Sequence, residues 1–298
     1  MEWRQFVMDL ETLNPDSIEE IFVRHGAHSI TYTDVGDKPV LEPAPGETPM
    51  WKDTRITGLF SPDADINRLQ DDLLQSMQIG QLPTHHIEEL VDRVWEREWL
   101  KDFGPMRFGQ RLWICPGDSS ANNSDAVIVR LDPGLAFGTG THPTTALCLH
   151  WLDSLALSGT TMLDYGCGSG VLAIAALRLG CRSAVAMDID PQAITATRQN
   201  AQRNEVDARL RIFCNAAEVG DQFNVVIANI LAGPLIDFAA SIATHVMSGG
   251  VLALSGILSE QVEEVLVAYR PWIDFDEPVL RSHGNQTWAC LTGTRNLH

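Results

Sequence analysis

The chain has 298 residues, of which 45% are hydrophobic and 20% are charged, and its formal net charge at pH 7 is −18. This length and composition are typical of a globular protein with two domains that each bury a core. No apolar run approaches the roughly 20 residues of a membrane span. The acidic first stretch, MEWRQFVMDLE, is unlike a signal peptide.

The six cysteines are scattered along the chain and include no Cys-x-x-Cys pair. This pattern predicts neither a disulfide framework nor a zinc site. The spacing of His85, His86 and Glu88 does not match a zinc ligand set either. We therefore expect no metal and a reducing, cytoplasmic location.

The negative charge is concentrated in the first third of the chain. Residues 1–105 contain 21 acidic and 9 basic residues, whereas residues 106–298 contain 18 acidic and 12 basic residues. An acidic surface repels nucleic acid and attracts basic partners. The charge is compatible with a basic partner and also with a simple requirement for solubility.

The first third alternates strands and helices. The predicted strands are residues 2–10, 28–35 and 54–60, and the predicted helices run from about 14 to 26 and over 61–77. The segment 85–94 fits either a strand or a helix. If it is a strand, the order is that of a ferredoxin-like α+β domain. We assign residues 1–94 to this domain and residues 95–130 to a linker with connecting strands.

From about residue 131 onward, strands alternate with apolar helices. The predicted strands are residues 161–166, 183–190, 208–214, 223–230 and 249–257, and the predicted helices are 142–155, 171–180, 190–204, 234–245 and 259–269. The end of the chain, 276–295, predicts a hairpin around a Gly-Asn turn. Residues 131–298 therefore predict a doubly wound, mainly parallel α/β sheet with a terminal antiparallel hairpin.

A glycine-rich turn follows the first strand of this second region. Gly166, Gly168 and Gly170 alternate in the stretch LDYGCGSG, between a strand and a helix. Glycine allows sharp turns and close approach of a ligand, and a helix N-terminus adds amides with partial positive charge. Ligands of open α/β sheets bind at the carboxyl ends of strands. A tight turn without a ligand would use the same residues, and the spacing differs from the G-x-G-x-x-G of dinucleotide-binding proteins.

Two acidic side chains flank this turn. Asp188 ends the next predicted strand, where a carboxylate can accept both ribose hydroxyls of a nucleoside. Asp190 is expected to cap the following helix. Asp164, at the end of the first strand, could contact an ammonium group or orient the turn. Two carboxylates favour a cationic ligand with a ribose, which indicates S-adenosylmethionine rather than a dinucleotide.

Asn229 ends the fourth predicted strand of the same sheet. Its amide oxygen can accept a hydrogen bond from a substrate amine or contact the cofactor, although Asn is also common where a strand simply turns. Its expected place beside the glycine-rich turn favours the first interpretation. His142, which precedes Pro143, is either a weak candidate for a base or the first residue of a helix.

The stretches around these residues resemble a known family. GCGSGVLAIAALRLG, DIDPQAI and NILAGPL are similar to class I S-adenosylmethionine-dependent methyltransferases. LDPGLAFGTGTHPTT, residues 131–145, is specific to the ribosomal-protein methyltransferases that modify protein eleven of the large subunit. WEREW, PMRFGQRLWICP and LSGIL extend the similarity over nearly the whole chain.

The resemblance implies transfer of methyl groups from S-adenosylmethionine to lysine ε-amines and to the N-terminal α-amine of that ribosomal protein. It also implies an N-terminal domain that holds the substrate and a linker that lets this domain move. The implied cofactor contacts are Thr145, Gly166, Asp188 and Asn229, to which the residues themselves add Asp164 and Gly168. Asn229 would also orient the acceptor amine. Residues 137–141 would cover the cofactor.

Three other classes fit some of these features. A nicotinamide-dependent oxidoreductase would also use a glycine-rich turn, and a methyltransferase for nucleic acid or a metabolite would share the cofactor motifs. The acidic first domain disfavours nucleic acid, because phosphate binding needs basic residues. An adaptor without a ligand is disfavoured by the intact turn and by Asp188. We expect a monomer that neither reads nucleic acid nor binds a membrane.

Overall fold

The computed structural model describes residues 2–36, 51, 53–91, 104–117, 119, 125–131 and 142–297. Contacts divide the chain into two compact units, Met1–Glu98 and Trp99–His298. The predicted domain boundary at residue 94 and much of the predicted linker, 95–130, lie outside the described residues and stay predictions. No described helix is long and apolar enough to cross a membrane.

The first unit is an antiparallel sheet with two helices. Its elements are β1 (Glu2–Asp9), α1 (Pro15–Arg24), β2 (Ser29–Asp34), β3 (Thr54–Phe60), α2 (Ile66–Met77) and β4 (His85–Val91). The strand order is β2-β3-β1-β4, with every pair antiparallel. This arrangement confirms the ferredoxin-like fold and shows that the ambiguous segment forms a strand as far as Val91.

Local sequence explains where these two helices begin. The side chain of Asn14 accepts a hydrogen bond from the Ser17 amide, and Pro15 occupies the first helical position of α1. Asp65 caps α2 in the same way through the Arg68 amide. Both helices pack on one face of the sheet, where large apolar side chains form the core: Phe6, Phe22, Ile56, Phe60, Leu69 and Leu73.

The second unit contains the larger sheet. Its elements are β5 (Met106–Phe108), β6 (Leu112–Pro116), β7 (Val127–Leu131), α3 (Pro143–Ser154), β8 (Thr161–Tyr165), α4 (Val171–Arg178), β9 (Ser183–Met187), α5 (Pro191–Arg203), β10 (Leu210–Phe213), β11 (Phe223–Asn229), α6 (Ala232–Asp237), α7 (Ala239–His245), β12 (Val246–Leu258), α8 (Val262–Tyr269), β13 (Ile273–Phe275), β14 (Val279–His283) and β15 (Gln286–Arg295). The sheet order is β10-β9-β8-β11-β12-β15-β13, and β14 also pairs with β15.

The pairing confirms the predicted mainly parallel sheet with a terminal antiparallel hairpin. Strands β8 to β11 are parallel to their neighbours, and β12 is parallel to β11, whereas β15 is antiparallel to β12, β13 and β14. Helices lie on both faces and form two apolar clusters with the sheet. The carboxyl ends of β8, β9 and β11 therefore lie side by side, which is where ligands of such sheets bind.

Two local predictions were wrong in detail, and two short strands were not predicted. The predicted helix 234–245 is two short helices that are interrupted at Phe238. The strand predicted over 183–190 ends at Met187, so Asp188 follows it instead of ending it. The three-residue strands β5 and β13 were not predicted, because three residues are too few to show a periodicity.

A small sheet of β5, β6 and β7 belongs to the second unit. Strand β6 is antiparallel to β5 and parallel to β7. Its Leu112 and Ile114 are fully buried in the cluster that also contains α3 and α4. The part of 95–130 that forms these strands thus contributes to the core of the second unit.

A carboxylate on α3 holds the turn between β5 and β6. Asp153 Oδ2 accepts hydrogen bonds from the amides of Gln110 (2.5 Å) and Arg111 (3.3 Å). The Arg111 side chain also reaches Asp153, with 3.4 Å between Nε and Oδ1. Gly109 has φ +69°, and a Cβ there would lie 2.3 Å from Asp153 Oδ2. The turn can approach α3 this closely because it contains glycine.

We expect Asp153→Ala to lower the free energy of unfolding by about 1–3 kcal/mol, because two amides of the turn lose their acceptor. Asp153→Asn keeps one acceptor oxygen and should cost less. Urea unfolding of the two variants and the unmodified chain provides the measurement. Equal stability of the alanine variant and the unmodified chain would contradict this role.

Candidate functional site

The turn between β8 and α4 depends on its three glycines. Gly166, Gly168 and Gly170 have φ values of +79°, +53° and +77°, in the left-handed region that favours glycine. A Cβ on Gly166 would lie 2.3 Å from Ile230 Cγ2, and a Cβ on Gly170 would lie 2.7 Å from Thr197 Cγ2. The backbone conformation favours glycine at all three positions, and close packing also requires it at Gly166 and Gly170.

Asp188 is bonded to this turn. One carboxylate oxygen, Oδ2, accepts a hydrogen bond from the Gly168 amide at 2.9 Å, and Oδ1 accepts one from the Asp190 amide at 3.0 Å. A carboxylate offers about four acceptor positions, so two are left for a ligand. Asp190 itself caps α5 by accepting from the Gln192 amide at 2.8 Å, as predicted. The two neighbouring acids thus have different roles.

Asp164 lies inside β8 and is fully buried. Its Oδ2 accepts a hydrogen bond from the Ala173 amide in the first turn of α4, at 3.0 Å. Burial raises the pKa of the carboxyl group to about 7, the Ala173 hydrogen bond opposes this rise, and the charge of Asp188 adds to it. The Ala173 hydrogen bond supports the orienting role, while Asp164 Oδ1 is buried without a hydrogen-bond partner among the described residues. Direct contact with a ligand stays a prediction.

Asn229 and Thr145 are joined by a hydrogen bond. Asn229 Nδ2 donates to Thr145 Oγ1 at 3.2 Å, which connects the carboxyl end of β11 to the first turn of α3. Asn229 Oδ1 is buried and has no hydrogen-bond partner among the described residues. With the amide nitrogen on the Thr145 hydroxyl, the oxygen is the amide atom left to accept a hydrogen bond. A buried acceptor without a donor is costly, which favours a donor on a ligand at this position.

The first turn of α3 is held by Ser255 of β12 and by its N-cap residue, His142. Ser255 Oγ lies 3.0 Å from the Ala289 carbonyl and 3.4 Å from the Thr144 carbonyl, which joins β12, β15 and α3. His142 caps α3, because its Nδ1 accepts from the Thr144 amide at 3.4 Å. Burial lowers the pKa of His142, with a further contribution from the nearby charge of His283. The structure thus shows His142 as the residue that starts a helix.

Contacts bring the predicted cofactor residues together in the second unit. Gly168 is bonded to Asp188, Gly166 packs on the residue after Asn229, and Asn229 is bonded to Thr145. Residues 132–141, which include the predicted cover, lie outside the described residues. His85 and His86 are consecutive on β4 of the first unit, so their side chains point to opposite faces of that sheet.

Two polar residues on α5, Thr197 and Asn200, were not predicted from the sequence to belong to the site. The side chains of Thr197 and Asn200 bind carbonyl oxygens of the glycine-rich turn. Their spacing of three residues places them on one helical face. This spacing was the feature of the sequence that could have indicated a shared contact. Polar side chains at that spacing usually face solvent, so the sequence did not distinguish a buried contact from a solvated one.

Comparison with known proteins identifies relatives over nearly the whole length. Residues 2–296 match the family model described as ribosomal protein L11 methyltransferase (PrmA). The ribosomal protein L11 methyltransferase of Klebsiella pneumoniae (strain 342) is 48% identical over 297 residues, which cover 99% of this chain and 100% of that protein. The protein of the same name from Escherichia coli (strain K12 / DH10B) matches with the same identity and coverage.

A solved structure shares the fold. The crystal structure of a ribosomal protein L11 methylase from Lactobacillus delbrueckii subsp. bulgaricus aligns with a TM-score of 0.58 and 32% sequence identity. The alignment covers 65% of this chain and 100% of that chain.

The raised pKa of Asp164 makes stability depend on pH. An Asp in an unfolded chain titrates near ~3.9, whereas Asp164 in the fold titrates at about 7. Between these pH values the Asp164 carboxyl keeps its proton in the folded chain and has lost it in the unfolded chain. The contribution of this proton to the free energy of unfolding is therefore complete at low pH and is lost as pH rises. Asp164→Asn keeps an acceptor for the Ala173 amide and removes the titration.

We therefore expect the free energy of unfolding of the unmodified chain to fall relative to that of D164N as pH rises from about 4 to about 7. Above that pH the difference should become constant. Urea unfolding of both proteins at several pH values measures it. Parallel pH profiles would show that Asp164 has an ordinary pKa.

Proposed function

Because the chain belongs to the ribosomal protein L11 methyltransferase family, we propose that it methylates ribosomal protein L11 on lysine ε-amines and on the N-terminal α-amine. The fold is that of a class I methyltransferase, and S-adenosylmethionine is the methyl donor of the family. The observation that carries the residue-level proposal is the buried Asn229 Oδ1, an oriented acceptor without a donor among the described residues.

The proposed cofactor site uses the residues around the glycine-rich turn. The two remaining acceptor positions of Asp188 would take the ribose hydroxyls. Gly166 and Gly168, which lack side chains, would allow the ligand to approach the backbone closely. Thr145 and Asn229 would contact the cofactor near the reacting group. Asp164 would act indirectly, through its hydrogen bond to the first turn of α4.

The acceptor nitrogen has to be neutral, because its lone pair forms the new bond. When bound, S-adenosylmethionine supplies an electrophilic methyl group: the N–C bond forms while the C–S bond breaks, and the electron pair of that bond stays on sulfur. A free lysine has a pKa near ~10.4, and burial in the site lowers this pKa. Asn229 Oδ1 would accept one N–H of the amine and direct the lone pair towards the methyl group. Such alignment is a large source of acceleration.

The organisation of the chain suggests how the substrate is held. We assign substrate binding to residues 1–94, a linker with connecting strands to 95–130 and catalysis to 131–298. The excess of acidic residues in 1–105 supports a basic substrate. A cytoplasmic, monomeric enzyme that acts on the protein without reading nucleic acid fits this substrate.

The activity is tested by incubating the full chain with L11 and labelled S-adenosylmethionine, followed by mass spectrometry of the products. We expect methyl groups on lysine and N-terminal amines of L11. Label on RNA, or no label on L11, would overturn the proposal. Titration of the chain with labelled S-adenosylmethionine and with NADH tests the oxidoreductase alternative, which tight binding of NADH would support.

Asn229→Ala should lower kcat about tenfold or more, because the amine loses its oriented acceptor. Asn224→Ala is the matched control. Asn224 lies at the other end of β11, where its Oδ1 accepts from the Thr161 amide at 2.9 Å. The control should lower the unfolding temperature with little effect on kcat. Equal losses of kcat in both variants would assign Asn229 a purely structural role.

Asp188→Ala should weaken binding of S-adenosylhomocysteine about tenfold or more, because hydrogen bonds to a charged acceptor are lost. Asp190→Ala removes a carboxylate two positions away that only caps α5. This control should lower stability and leave the affinity nearly unchanged. Titration calorimetry measures both. If Asp190→Ala weakened binding as much as Asp188→Ala, the ribose contact would be refuted.

A further inference from the structure

One face of α5, continued by its C-cap residue Asn204, carries three buried polar side chains. Thr197, Asn200 and Asn204 are 0%, 4% and 5% exposed, and their spacing places them in a row along the helix. A helix that packs on a sheet normally buries apolar residues there, because a buried polar group without a partner is costly. Each of these side chains is instead bonded to backbone of a neighbouring element.

The first two side chains hold the glycine-rich turn. Thr197 Oγ1 donates to the Gly168 carbonyl at 3.0 Å, and Asn200 Nδ2 donates to the Ser169 carbonyl at 2.9 Å. The Cys167 Sγ lies 3.3 Å from the same threonine hydroxyl. Peptide groups are planar, so fixing two consecutive carbonyls also fixes the direction of the amides in those planes. Glycine lacks intrinsic conformational preference, and these bonds supply the missing constraint.

The third side chain holds β7. Asn204 Oδ1 accepts from the Arg130 amide and Nδ2 donates to the Arg130 carbonyl, both at 2.7 Å. Its Nδ2 also lies 2.8 Å from the Asn200 carbonyl, which continues the row along the helix. Arg130 is the penultimate residue of β7. The same helical face therefore positions the glycine-rich turn at one end and β7 at the other.

We propose that Thr197, Asn200 and Asn204 form a polar row that positions the glycine-rich turn for cofactor binding. The inference rests on the proposed function of that turn. The row acts through the backbone: Thr197 and Asn200 set the peptide planes of the turn, while Asn204 anchors the helix face against β7. These are positioning residues, because their polar groups bind backbone rather than ligand.

Thr197→Val removes the hydroxyl and keeps the shape of the side chain. Without the row the turn samples other conformations, and binding selects the competent fraction. We expect the Kd for S-adenosylhomocysteine and the KM for S-adenosylmethionine to rise about five- to tenfold, the effect of one hydrogen bond. The kcat at saturating cofactor and the KM for L11 should stay within about twofold. Thr197→Ser, which keeps the hydroxyl, should restore cofactor affinity.

Thr195→Val is the matched control on the same helix. The Thr195 hydroxyl is exposed and donates to the Pro191 carbonyl within α5, at 2.9 Å. This variant should bind cofactor like the unmodified full chain. If Thr197→Val also binds normally, or if Thr197→Ser binds as weakly as the valine variant, the proposal is overturned.

Asn204→Ala gives a second measurement at the other end of the row. We expect it to weaken S-adenosylhomocysteine binding about threefold or more and to accelerate amide exchange at Gly168 and Ser169. Normal exchange at the turn would show that the two ends are independent and refute the row as one unit. Failure of the unmodified chain to bind S-adenosylhomocysteine would instead refute the proposed function of the turn.

Discussion

The candidate site depends on hydrogen bonds that keep one turn in a single conformation, although three of its residues are glycines with left-handed backbone conformation. Such a turn is entropically costly, because glycine loses more freedom on folding than any other residue. The structure offsets this cost with hydrogen bonds from three sides. The Met187 carbonyl accepts from the amides of Gly166 and Cys167, Asp188 accepts from Gly168, and α5 donates to two carbonyls of the turn. The turn is thus held by the end of β9 and by α5.

The carboxylates around this turn favour a cationic ligand over an anionic one. Asp188 is half-buried at the turn and Asp164 is buried below it, so a pyrophosphate would meet two carboxylates. A sulfonium nucleoside carries positive charge and a ribose, and both features suit these groups. Burial already raises the pKa of Asp164 to about 7. A nearby anionic ligand would raise this pKa further, whereas a cationic ligand would favour the ionised carboxylate.

Much of the fold and of the candidate site could be predicted from the positions at which the predicted strands end. Parallel strands end at one edge of the sheet, so the turn, Asp188 and Asn229 were expected to be neighbours before their contacts were known. The burial of Asp164 was not predictable, because it depends on how α4 packs over β8. The interruption at Phe238 had no glycine or proline signal at that residue. Predicting the polar row on α5 requires knowing which backbone carbonyls face this helix, and the local sequence does not contain that information.

The orientation of Asn229 links binding to chemistry. Its amide nitrogen is held by Thr145, whose helix is in turn held by Ser255 between β12 and β15. The direction of the Asn229 oxygen therefore depends on residues from four elements of the second unit. The glycine-rich turn is controlled separately, by β9 and α5. The conformation of the turn and the alignment of the amine consequently rest on different sets of contacts, so substitutions in α5 should act mainly on the KM for the cofactor, whereas substitution of Asn229 should also lower kcat.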